Sequence, residues 1–198
     1  MRERINKIGI KSILLAVFLL IFITVITSSV SAANGCVAGD PVCGSTPTNN
    51  CDVTQNTTFN TGTYNLANGV DICANNIILN CNNSLINSSV VSSTGIFNDR
   101  YDNVTIKNCN TNGYRYGIYL SFVACTNFSY ANIIENFSAK NANTGVLIQN
   151  NGLCQHNTSH IIRNSNLSSN VKGIEIGNPY NNVVYSNFIA KNGDSGIL

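Results

Sequence analysis

The chain has 198 residues, eleven basic and nine acidic side chains, and only 10% charged residues. Four of the cations (Arg2, Arg4, Lys7, Lys11) and one anion (Glu3) precede Ala32, so the rest carries seven cations and eight anions, about −1. That balance excludes a basic nucleic-acid-binding protein, and roughly one residue in five after Ala32 is Asn, which describes a solvated, turn-rich surface.

Residues 1–32 read as a secretory signal peptide. The four cations form its basic end, Ile13 to Ile26 its apolar stretch, and Val30-Ser31-Ala32 its small-residue cleavage site. The apolar stretch falls short of the roughly 20 residues that a membrane span needs, so no span is expected after removal of the signal. An uncleaved anchor and lipidation at Cys36 are the alternatives, the latter poorly served by Ala33-Asn34-Gly35. Residues 33–59 are not repetitive and hold two of the three prolines and three cysteines. They are expected to form an N-terminal cap over the apolar end of the remaining chain.

Residues 60–198 repeat. Asn80, Asn108, Asn136 and Asn164 recur every 28 residues, and Asn187 comes after a further 23. Two residues before each stands a large apolar group: Ile78, Ile106, Ile134, Ile162, Tyr185. Nine residues after the last four comes Gly with a β-branched residue, at Gly117-Ile118, Gly145-Val146, Gly173-Ile174 and Gly196-Ile197. The apolar runs alternate with period two, as in Gly173-Ile174-Glu175-Ile176, and no segment has helical spacing. Three short strands per 22–28 residues describe one coil of a parallel β-solenoid, stacked about 4.8 Å from the next. Ile78, Ile106, Ile134 and Ile162 should then stack inward, with Ile118, Val146, Ile174 and Ile197 as a second ladder and Leu120, Ile148 and Ile176 as a third. The recurring Asn should sit at a turn, where it tolerates a left-handed backbone and bonds to its neighbours through its amide. Lys107, Glu135 and Arg163 should form a solvated ladder of alternating charge. Leu198 lies two residues into a new coil with no capping sequence in view. This suggests a fragment, a capping partner chain, or self-association through the open end.

These columns resemble the right-handed parallel β-helix repeat, shared by pectate-lyase-like carbohydrate-active proteins and NosD-like proteins of copper-enzyme maturation. The resemblance covers about five coils and implies an all-β fold. Many activities sit on that fold.

Eight cysteines after the signal read as disulfides. Cys125 and Cys154 occupy equivalent enlarged loops and suit each other. Cys81 and Cys109 both come directly after a ladder Asn and should stack, either bonded or as a buried thiol pair. Cys51 is expected to pair with Cys73, leaving Cys36 and Cys43. Of eight Asn-x-Ser/Thr sequons, Asn127 and Asn157 lie in the enlarged loops and are the candidate glycosylation sites. The pattern suits a secreted or cell-surface prokaryotic protein, archaeal ones included.

Chemistry is sparse. A lyase of this fold needs clustered acids for calcium and a nearby base, and a hydrolase needs two or three close carboxylates. Only Asp99-Arg100-Tyr101-Asp102 brings two acids and a base together, and turn chemistry explains that cluster as well. Cys154, His156 and His160 have metal-like spacing. However, the segment is not helical, and His160 stands where Val104 and Val183 stand in other coils, so it should point inward. No cofactor is expected, apart from calcium if the protein is lyase-like. The outward side of the Gly-initiated strand is more informative, because it places Phe97, Tyr119, Leu147 and Glu175 on successive coils with Tyr116 beside them. Phe97, Tyr116, Tyr119 and Glu175 are therefore the candidate substrate-binding residues, and polysaccharide or envelope glycan the expected partner. The expected function is a non-catalytic glycan-binding or envelope module. A carbohydrate-active enzyme and an accessory protein of metalloenzyme maturation are the alternatives.

Overall fold

A computed structural model describes residues 35–122, 131–150, 159–177 and 182–198. These regions contain seventeen strands and no helix, so no described helix is long and apolar enough to cross a membrane. All strand pairs are parallel, and the three sheets stack as a β-solenoid of about five turns.

The first sheet runs in the order β1 (Cys51–Val53), β4 (Val70–Ile72), β7 (Thr94–Asp99), β10 (Tyr116–Phe122), β13 (Thr144–Asn150), β15 (Lys172–Gly177) and β17 (Ser195–Ile197). The second contains β2 (Thr57–Thr58), β5 (Ile78–Asn80), β8 (Thr105–Lys107), β11 (Ile133–Glu135), β14 (Ile161–Arg163) and β16 (Val183–Tyr185). The third contains β3 (Thr63–Asn65), β6 (Leu85–Asn87), β9 (Asn110–Asn112) and β12 (Ser138–Lys140), and is continued by bridges through Asn166 and Phe188. Within the segment expected to be a cap, β1 and β2 already lie in register with β4 and β5, and Val42 bridges to Asp52 ahead of them.

Alternation turns one face of each sheet inward, with two apolar columns on the inner face of the first sheet. Ile106, Ile134 and Ile162 are fully buried in register, as are Ile118, Val146 and Ile174. Leu120 and Ile148 continue the third column, Ile176 is partly buried, and Ile197 is 56% exposed on the last turn. Fully burying such a side chain contributes about 1.5–3 kcal/mol, so these columns supply most of the drive to stack.

At both ends the columns slip by one residue from the expected register. Leu79, not Ile78, pairs with Ile106 and is buried, while Ile78 is 39% exposed. Val184, not Tyr185, pairs with Ile162, and Tyr185 is 43% exposed. His160 is buried as expected, but the exposed Val183 pairs with Ile161 and does not share its column. The slip arises from coil length. The 28-residue period holds only from β8 to β14, and a one-residue change in strand register turns every side chain over.

The Asn column shows the same slip. Asn108, Asn136 and Asn164 have φ of 53°, 50° and 52°, whereas the corresponding left-handed residue on the last turn is Ser186, φ 53°. Asn108 Nδ2 donates to Asn80 Oδ1 (2.9 Å) and Asn136 Nδ2 to Asn108 Oδ1 (3.1 Å). Asn187 instead donates to the Ile162 carbonyl and accepts from the Ser165 amide. A second ladder, unforeseen from sequence, links Asn141 to Asn112, Asn112 to Asn87 and Asn87 to Asn65 at 2.7, 2.7 and 3.1 Å. The charge ladder forms between Glu135 and Arg163, with Tyr185 hydroxyl as a further acceptor from Arg163.

Three disulfides join described cysteines. Cys81–Cys109 is a bond and not a thiol pair. The expected Cys51–Cys73 pairing is wrong: Cys51 bonds to Cys43 and Cys73 to Cys36. Backbone pairing explains the correction. Cys43 donates its N–H to the Asp52 carbonyl, which sets it beside Cys51, whereas the Cys73 side chain meets the chain that precedes Asp40. Cys125, Cys154, Asn127, Asn157 and His156 lie outside the described residues.

Candidate functional site

The outward face of the first sheet holds one continuous in-register column: Asp52, Asp71, Phe97, Tyr119, Leu147, Glu175. Parallel pairing sets neighbours about 4.8 Å apart, so like residues meet. Phe97 and Tyr119 have ring centroids 5.3 Å apart, and Tyr116 and Tyr119 are also 5.3 Å apart. Arg115 stands over the Tyr116 ring at 5.0 Å. Phe97, Tyr116 and Tyr119 are partly buried, and Leu147 is buried. Tyr119 hydroxyl reaches Gln149 Oε1 at 3.3 Å. Towards the C-terminal end, Glu175 accepts from Lys172 Nζ (3.0 Å) and Thr144 Oγ1 (3.2 Å). The result is an aromatic strip next to a polar patch, the combination of apolar surface and a few placed polar groups that orients a small ligand.

Asp99, Arg100 and Asp102 sit at the end of β7. Arg100 grips Asp99 Oδ2 through Nε and Nη2 (3.1 and 2.8 Å) and has φ of 75°. Asn98 turns inward into the core column and closes the bend, exchanging hydrogen bonds with the Tyr101 backbone. Asp102 Oδ1 accepts from the Ala131 N–H at 2.6 Å, tying two turns together. A cleft of about 300 Å³ is lined by Asp99, Arg100 and Tyr101 with Gly35 and Cys36.

The acids that sequence reasoning missed lie at the other end of the column. Asp52 and Asp71 are directly paired, and both are buried, Asp71 to 1% exposure. Both Asp71 carboxylate oxygens and Asp52 Oδ1 are buried without a hydrogen-bond partner. Burial, then the Asp52 and Asp40 carboxylates, push Asp71 up to about 7. Burial and Asp40 also raise Asp52. Residues 35–40 cross this face as a strap. A Cβ on Gly35 would come within 3.8 Å of the Phe97 ring, Cys36 is bonded to Cys73, and Asp40 Oδ2 accepts from Asn50 Nδ2 at 3.0 Å. The missed signal was the 19-residue step from Asp52 to Asp71, which lies outside the 28-residue period and begins inside the presumed cap.

His160 is also buried. Its Nδ1 accepts from the Asn132 N–H at 3.2 Å, its ring stacks on Phe122 with centroids 4.8 Å apart, and burial lowers it to about 4. It is a neutral core side chain in this geometry.

No protein-family model, no characterised protein and no solved structure matches the chain. The class that the fold defines is therefore the disulfide-bonded parallel β-solenoid, and the three described disulfides are compatible with an extracellular location.

Proposed function

We propose that the protein is a secreted or cell-surface β-helix module that binds glycans without cleaving them, with the outward face of the first sheet as its platform. The observation that carries this reading is the in-register row of Phe97 and Tyr119, flanked by Tyr116 with Arg115 over its ring. Partly exposed aromatic rings offer apolar faces for sugar rings, and the half-buried Gln149 and Glu175 are at hand for hydroxyl groups. Affinity electrophoresis in gels containing acidic or neutral polysaccharides tests it. Tyr119→Ala and Tyr116→Ala should each cut retention by about tenfold, which is about 1.4 kcal/mol. Unchanged retention in both variants would remove the platform.

A second reading, a carbohydrate-active enzyme, draws on the paired Asp52 and Asp71 carboxylates in the same column. Their strand spacing of about 4.8 Å approaches the roughly 5–5.5 Å of a retaining glycosidase. Against it, Asp71 is only 1% exposed, whereas a catalytic acid must meet the glycosidic oxygen. The NosD-like reading has only the repeat in its favour.

A further inference from the structure

Three carboxylates lie near enough to feel one another at the strap end of the column. Asp52 and Asp71 come from adjacent strands, and Asp40 from the strap's own end, where Asn50 holds its Oδ2. The described ion pairs involve Asp99, Glu135 and Glu175, and none reaches these three acids. An ionised carboxylate without a hydrogen bond is among the costliest groups to bury, yet Asp71 is 1% exposed with both oxygens unpartnered. Asp52 Oδ1 and Asn50 Oδ1 are likewise buried and unpartnered. Three carboxylate oxygens on the directly paired Asp52 and Asp71 thus stand without a donor, beside a segment fastened by the Cys36–Cys73 disulfide. Exposed acidic patches do not have this character, because water satisfies them.

We propose that this pocket binds one hard divalent cation of the calcium class, with Asp52 and Asp71 as direct ligands and Asp40 closing the site from the strap. The spacing suits it. An ion that takes oxygen at about 2.3–2.6 Å fits between carboxylates presented on strands about 4.8 Å apart. Calcium's demand for six to eight oxygens can be met by carboxylates, the Asn50 amide oxygen, strap carbonyls and water. The chemistry also disfavours a soft metal. The sulfurs of Cys36 and Cys73 lie within 4.8 Å of an Asp52 oxygen but are bonded to each other, so they offer no thiolate. The cation would lock the strap against the first two turns and fix Gly35 beside Phe97 at the edge of the aromatic strip.

The test uses the whole protein, disulfides intact, after chelator treatment. Terbium luminescence sensitised by tyrosine should report one tight site that calcium displaces, and calcium should raise the melting temperature by several degrees. Asp71→Asn should weaken terbium binding at least tenfold and lose the calcium-dependent shift, while keeping the β-sheet circular dichroism. Asp52→Asn provides an independent second variant. Terbium bound equally by wild type and both variants would place the ions on exposed acids and overturn the proposal. Absence of any calcium effect, with one proton bound as the pH falls from 8 to 6 by the wild type but not by Asp71→Asn, would also overturn it and leave Asp52 and Asp71 as a pair sharing a proton.

Discussion

At Asn136 two separate demands fall on one side chain: a left-handed backbone with φ of 50°, and an amide that bonds to Asn108. Alanine meets neither and glycine meets the first, so the two substitutions separate the costs. Asn136→Ala should destabilise by about 2–3 kcal/mol and Asn136→Gly by about 1, read from denaturant midpoints; equal losses would mean the backbone demand is negligible. The buried titratable residues make a second prediction. Asp71 is raised in the folded state, so its contribution is fully present below pH 3.8 and is lost as pH rises through about 7. In the absence of divalent cations, Asp71→Asn should therefore stabilise the protein by about 2–4 kcal/mol at pH 8 and change little at pH 3.5. His160 works in the opposite direction: lowered to about 4, it supports the fold above pH 6.5 and withdraws that support on acidification. In His160→Gln, the acid loss of stability between pH 6.5 and 4 should be reduced. The turn role of Asn108, Asn136 and Asn164 was legible from their recurrence. The Asp52–Asp71 pair was not, because what joins them is a short first coil, and sequence periodicity is blind to a single irregular step.

Strands in this fold are held less by local preference than by the approach of neighbouring turns, and the glycine column shows it. A Cβ at Gly117 would lie 2.5 Å from the Gly145 carbonyl oxygen, and one at Gly145 would lie 2.6 Å from that of Gly173. The glycines that open each strand are thus explained by space, not by a positive φ. Gly145→Ala should force the turns apart locally, costing about 2–3 kcal/mol and lowering the melting temperature; an unchanged melting temperature would show that the stack gives way freely there. Staples act on the same elements. Replacing Cys81 and Cys109 by alanine should cost about 2–4 kcal/mol, since the bond closes one full turn. Element type and order were readable because alternation and period agreed over β8 to β15. Register was not readable at β5 and β16, where the coils shorten and Leu79 and Val184 replace the anticipated Ile78 and Tyr185 in the core. Disulfide partners escaped for a related reason. Cys36 and Cys43 belong to a segment whose path, a bridge at Val42 preceded by a strap, no repeat announces.

Over the whole molecule, the solenoid turns a one-dimensional repeat into a flat face on which chemistry changes gradually along the axis. Acids lie under the strap at one end, aromatic rings occupy the middle, and Glu175 with Lys172 lies beyond them. A sequence poor in charge thus still gathers its acids, rings and ion pair into one column. We propose that this face holds glycan and leaves it intact. Incubating the protein with a panel of acidic and neutral polysaccharides, with and without calcium, and analysing both retention and products by mass spectrometry addresses it directly. The protein should be retained on at least one polysaccharide, give no shortened or unsaturated products, and lose retention in Tyr119→Ala. Oligosaccharide products, or retention that Tyr119→Ala leaves untouched, would contradict it.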